Sequence, residues 1–137
     1  MALTNEQKKD LIERALQARQ WAYTPYSGYN VGAALLSVSG KVYEGVNIEN
    51  AAFSPTVCAE RVAVFKAVSE GERDFEAIAV ATENGGTPCG VCRQVLAEFA
   101  INIPVIIVND KGEIIQEVLV SELLPGAFTA DDFHEKK

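Results

Sequence analysis

The chain has 137 residues, 48 % apolar and 23 % charged, which is ordinary for a soluble globular protein and enough to bury a core. It carries 12 basic against 19 acidic residues, a net charge of −7. That excess repels phosphate backbones and no basic run offsets it locally, so nucleic acid and anionic membrane are excluded as expected partners. No apolar run approaches the roughly 20 residues of a membrane helix. The opening Met1–Glu6 lacks the basic region and apolar stretch of a signal peptide, so a cytoplasmic protein with one domain over residues 1–137 is expected. The cysteines number three. An odd count without a secretion signal argues against a disulfide framework and for reduced thiols open to a metal.

In chain order, Thr4 to Tyr23 reads as a helix. Thr4 and Gln7 form a candidate capping box, and Leu11, Ile12, Ala15, Leu16, Ala18 and Ala22 make an apolar stripe. Pro25 ends it. Val31–Val38 and Val42–Val46 read as strands joined by Ser39-Gly40-Lys41, an antiparallel hairpin. After Asn47, residues 48–55 lose periodicity and read as a loop. Cys58 to Glu70 reads as a second helix stopped by Gly71, with apolar residues around most of its circumference, so burial on more than one side is expected. Glu76–Thr82 suits a buried strand, Asn84–Pro88 a loop and Cys89–Ala100 a third helix. Pro104–Asn109 and Glu113–Val118 read as two more strands, and Val120–Leu124 as a short helix. Helices alternating with buried strands imply an α/β sheet with helices on both faces, in which strand three, helix three and strand four form a right-handed crossover.

Two stretches carry the chemistry, Cys58-Ala59-Glu60-Arg61 and Pro88-Cys89-Gly90-Val91-Cys92. Three soft ligands suit zinc, and a tetrahedral ion with three protein ligands keeps a fourth position for water. Cys89 and Cys92 share a face of a helical first turn, and the free N–H groups there favour thiolate. Residues two apart on a helix point to nearly opposite sides, so Cys58 and Glu60 serve one site only if the metal lies beyond the N-terminus of the second helix. Glu60 is then the candidate general base. A lone Cys-x-x-Cys also fits a redox pair. His134, the single histidine, would close a Cys₃His structural site, but it lies in a polar tail and is expected to be exposed without a ligand role. Three thiolates and Zn²⁺ sum to a formal −1, which weakens the Lewis acid. A cation bonded to sulfur offsets this, with Arg61 the first candidate and Arg93 the second.

These residues match the general H-x-E…P-C-x-x-C signature of the zinc deaminases, in its three-cysteine form. The chain resembles the small homotetrameric cytidine deaminases over nearly its whole length. The resemblance rests on Pro25-Tyr26-Ser27, Val31-Gly32-Ala33-Ala34, Asn47-Ile48-Glu49-Asn50-Ala51, the two zinc stretches with Arg93-Gln94, and Leu123-Leu124-Pro125-Gly126-Ala127-Phe128. It implies a three-layer α/β/α fold on a five-stranded mixed sheet, one Zn²⁺ per subunit on Cys58, Cys89 and Cys92, and a proton shuttle at Glu60. It further implies that Asn47 and Glu49 hold the ribose hydroxyls and that the Ala59 N–H meets the pyrimidine carbonyl. Tyr29 and Phe53 fall at aromatic positions around the nucleoside, and Phe128 at one that reaches a neighbouring subunit's site. The activity implied is hydrolytic deamination of cytidine and deoxycytidine in pyrimidine salvage. Deamination of another cytosine-containing molecule such as an antibiotic nucleoside, and a non-enzymatic zinc module, are the alternatives.

Overall fold

The computed structural model describes residues 3–133; His134 lies outside them. The first helix, α1 (Asn5–Ala18), starts at the capping box read from sequence: Thr4 Oγ1 accepts from the Gln7 N–H and Gln7 Oε1 from the Thr4 N–H, both at 3.0 Å. It ends earlier than Tyr23. A 3-10 turn over Arg19–Trp21 follows, because Tyr23 must be extended to pair its N–H with Asn47 O and its carbonyl with the Glu49 N–H.

Strands β1 (Gly32–Ser37) and β2 (Val42–Val46) form the antiparallel hairpin. Helix α2 (Ala59–Ser69) then crosses to β3 (Phe75–Ala81), and α3 (Gly90–Ala100) to β4 (Pro104–Val108). Strand β5 (Ile114–Leu119) and the one-turn α4 (Val120–Leu123) complete the order. The sheet runs β2-β1-β3-β4-β5, parallel at β3–β4 and antiparallel elsewhere.

Alternation along β1 separates two cores. Ala34 and Leu36 face α1 with Ala77, Ala79, Ile106 and Leu11, while Ala33 and Leu35 face α2 and α3 with Ile78, Val80, Val64 and Leu96. Period-2 strands between helical layers give the three-layer α/β/α arrangement. Helix α2 departs from expectation. Its buried residues Ala59, Glu60, Ala63, Val64 and Ala67 make one stripe, and Phe65 and Lys66 are exposed, so a second buried side is not formed. Residues 47–57 are also more ordered than a plain loop. Ile48 bridges Tyr23 on one side and Val57 on the other.

Gly45 decides where α2 sits. A Cβ there would lie 2.3 Å from Ala59 O, so only glycine lets the first turn of α2 rest on β2. That turn carries Cys58 and Glu60.

Candidate active site and metal centre

Cys58 and Cys89 occupy equivalent places. Each is the extended N-cap residue of an eleven-residue helix, α2 and α3 respectively, and Cys92 sits in the first turn of α3. Extended N-caps turn their side chains off the helix end, where unpaired N–H groups and the partial positive charge of the helix stabilise thiolate. The sulfurs converge: Cys58 Sγ is 3.7 Å from Cys89 Sγ, which is 3.5 Å from Cys92 Sγ, and all three lie within 4.8 Å of one another. Zn–S bonds of about 2.3 Å at the tetrahedral angle set sulfurs about 3.8 Å apart. Both of these neighbouring separations match that spacing, so the trio suits one zinc ion. It is the one such cluster of potential ligands among the described residues.

Taken by themselves the thiols do not ionise alike. Cys58 is lowered to about 5, first by the hydrogen bond from Cys92 and then by Arg61 and Cys89, against the cost of its burial. Cys92, donating to Cys58 and buried, is pushed up. Gathering three thiolates around a cation thus releases protons. Arg61 Nη2 donates to Cys58 Sγ at 3.4 Å. Arg93 spends its donors elsewhere, on Pro88 O (2.8 Å), Leu123 O (2.8 Å) and Thr87 Oγ1 (3.0 Å). It ties the start of α3 to the C-terminal segment, so of the two arginines it is Arg61 that reaches a sulfur.

Glu60 is one residue inside α2 and only 4 % exposed. Burial is the main cause that pushes its carboxyl up to about 7, with the Cys58 charge adding to it and Glu60's own N–H and Arg61 opposing. A carboxyl group so placed is poised to exchange protons near neutrality.

A cavity of about 320 Å³ opens beside these groups. Cys58, Glu60 and Cys89 line it together with Asn47, Glu49, Ser27 and Tyr29. Asn47 is fixed by its own amide, Oδ1 accepting from the Val31 N–H (2.9 Å) and Nδ2 donating to Tyr29 O (2.8 Å). One donor and one lone pair remain for a ligand. Glu49 accepts from the backbone N–H groups of Tyr26 (3.0 Å) and Ser27 (3.2 Å) and from the Ser27 hydroxyl. The Ser27 hydroxyl is the first cause holding its carboxyl below the ordinary range. Sequence reasoning missed this clamp; its only signal is the Pro25-Tyr26-Ser27-Gly28 turn, which brings two amides to one point.

The sequence pattern described as "Cytidine and deoxycytidylate deaminase zinc-binding region" matches residues 5–116. The chain belongs to this zinc-binding deaminase family. It is 56 % identical over 128 residues to a cytidine deaminase of Halalkalibacterium halodurans, covering 91 % of this chain and 96 % of that one. The solved cytidine deaminase of Burkholderia pseudomallei superposes with a TM-score of 0.84 at 43 % identity, over 92 % of this chain and 100 % of that one. A blasticidin-S deaminase of Bacillus cereus is more distant, 29 % identical over 135 residues, 91 % of this chain and 94 % of that one. Zinc is the family's metal, and the three-sulfur cluster suits it.

Two aromatic residues named from sequence stand apart from the cavity lining. Phe53 is 73 % exposed, holds φ +65° and meets Tyr26 edge-on with ring centroids 6.3 Å apart. Phe128 is 55 % exposed and meets Phe133 edge-on at 5.2 Å, its carbonyl accepting from Gln94 Nε2 (2.7 Å). No helix among the described residues is long and apolar enough to cross a membrane.

Proposed function

We propose that the protein is a zinc-dependent cytidine deaminase, converting cytidine and deoxycytidine to uridine and deoxyuridine with release of ammonia. The observation that carries this reading is the single cavity with a buried carboxyl and two thiols among its lining and a hydroxyl-binding pair, Asn47 and Glu49, in the same wall. The 56 % identity to a cytidine deaminase supports the choice of cytidine over a blasticidin-type substrate, whose relative stands at 29 %.

Zinc held by Cys58, Cys89 and Cys92 would supply Lewis acidity and lower the pKa of water near neutral pH. Glu60 takes a proton from the attacking water and delivers it to N3 of the pyrimidine, which makes C4 electrophilic. The water oxygen bonds to C4. Glu60 then takes the proton of the new C4 hydroxyl and gives it to the 4-amino nitrogen, the C4–N bond breaks as the C4 carbonyl forms, and ammonia leaves. One carboxyl group serves both transfers because Glu60 lines the same cavity as the thiols, within short reach of each group it serves. Asn47 and Glu49 take the ribose hydroxyls with the donor and acceptors they retain, and the Ala59 N–H meets the pyrimidine carbonyl. Arg61 compensates the third thiolate through Cys58.

The chain works as one domain over residues 1–137 in the cytoplasm, in pyrimidine salvage, and assembles as a homotetramer. Exposed Phe53 and Phe128, which do not line their own cavity, support sites completed between subunits. Incubating the zinc-loaded protein with cytidine and following the ultraviolet change to uridine tests the activity, with Glu60→Ala as control. Inactive parent protein, or equal rates in the variant, would remove the reading. Gel filtration near four times 14.8 kDa tests the assembly; a fully active monomer would contradict it.

A further inference from the structure

Part of the cavity wall is built from two segments distant in sequence. Tyr29 comes from one, and Thr82, Gly86 and Thr87 from the other. Thr82 is 3 % exposed, one of few buried polar residues, and its Oγ1 accepts from the N–H groups of Gly85 (2.7 Å) and Gly86 (2.9 Å). Two accepted bonds fill the lone pairs of a hydroxyl and pin the turn to the end of β3. Gly85 holds φ +78°, and a Cβ there would lie 2.5 Å from the Ile115 side chain, so the turn is also pressed on β5. From this pinned turn Asn84 Oδ1 accepts the Tyr29 hydroxyl at 2.7 Å. The Tyr29 oxygen is close enough to Gly86 that a Cβ there would sit 2.7 Å from it, whereas the next nearest atom, Asn84 Oδ1, is 3.7 Å away.

We propose that Asn84 is a positioning residue: the turn held by Thr82 grips the Tyr29 hydroxyl through Asn84 and so fixes the Tyr29 ring as the wall against which the nucleoside is held. This rests on the reading of the cavity as the nucleoside site. The Tyr29 hydroxyl faces Asn84 rather than substrate. Gly86 is glycine because the hydroxyl occupies the space of a side chain. An ordered wall reduces the entropy lost when substrate is bound, and so acts on binding rather than on the proton transfers at Glu60.

The test is steady-state kinetics with cytidine, together with thermal unfolding, on Tyr29→Phe, Asn84→Ala, their double variant, Gly86→Ala and Gly86→Ala/Tyr29→Phe. Loss of one neutral hydrogen bond should raise KM about two- to tenfold with kcat within about twofold. The double variant should be no worse than either single one, because both remove the same bond. Gly86→Ala should raise KM further and lower the melting temperature, and removing the Tyr29 hydroxyl should restore both to the Tyr29→Phe values. Thr82→Ser, which keeps the acceptor, should behave as the parent, and Thr82→Val should not. An Asn84→Ala enzyme with parental KM beside an impaired Tyr29→Phe would mean that the hydroxyl meets the nucleoside directly, and would overturn the proposal, as would additive losses. If the parent protein turns over no cytidine, the functional reading fails. The grip is then judged by melting temperature alone, and failure of Tyr29→Phe to rescue Gly86→Ala refutes it.

Discussion

Arg61 reaches back three residues to place Nη2 3.4 Å from Cys58 Sγ, and its Nε is buried with no partner among the described residues. A fixed guanidinium on one sulfur would draw electron density from a three-thiolate centre and so restore Lewis acidity to a zinc ion held there, the role proposed for Arg61. Arg61→Gln should therefore lower kcat by roughly 10–100-fold, the usual range for groups bonded to metal ligands. Zinc content by atomic absorption and the unfolding curve should be measured beside it. Unchanged turnover in fully zinc-loaded Arg61→Gln would refute this role.

Glu60 offers a contrast, because its burial costs stability that its chemistry requires. Glu60→Gln keeps shape and would remove the proposed proton shuttle. Turnover of cytidine should fall by about 10²–10⁴, while the melting temperature should hold or rise. A drop in both would assign Glu60 to structure.

Gly45 is expected to be intolerant for a geometric reason. Alanine there would place its Cβ 2.3 Å from Ala59 O and 2.6 Å from Ala63 N, both backbone atoms that cannot swing aside. Gly45→Ala should cost about 1–3 kcal/mol in urea unfolding. Because the displaced helix begins at Cys58, zinc should also be lost more readily to a chelator. Parental zinc retention would show that the first turn of α2 keeps its place and that the clash is relieved elsewhere.

Glu72 gives the fold an acid-sensitive contact. Its Oε2 accepts from Ser39 Oγ (2.8 Å) and Tyr43 Oη (3.1 Å), and its Oε1 from Ser37 Oγ. The Ser37 and Ser39 bonds hold its carboxyl below the ordinary range. A depressed folded pKa gives stability that is present above the unfolded value of about 4.3 and is lost as pH falls through the lower folded value. Glu72→Gln removes that titration. Its loss of stability between pH 6 and pH 3, read from urea midpoints, should be smaller than the parent's. Parallel losses would mean other carboxylates dominate.

The order of elements, the hairpin and both helix starts were readable because each is set locally, by period, cap or glycine. The three-sulfur cluster was readable for the same reason: two N-caps and a first turn leave little freedom to the side chains. Contacts across distant segments were not. Nothing near Arg93 announces that it bonds Leu123 O rather than sulfur, and nothing near Asn84 points to Tyr29. The circumference of α2 misled because apolar residues such as Phe65 read as buried, and a single chain leaves that one exposed.

Ile48 is stitched to Tyr23 and to Val57, so the residues on either side of it are held by backbone from three segments. The three sulfurs and Glu60 hang from helix starts, whereas Asn47 and Glu49 hang from this seam. The Ile48 stitching is made by main-chain groups alone, but the side chains at 47 and 49 also accept from the Val31, Tyr26 and Ser27 amides, so exchanging either would unpair backbone of the neighbouring segments. The seam and the sulfur-bearing helix starts are thereby separate pieces of backbone, and any replacement at 47 or 49 has to supply the acceptor its neighbouring amides need.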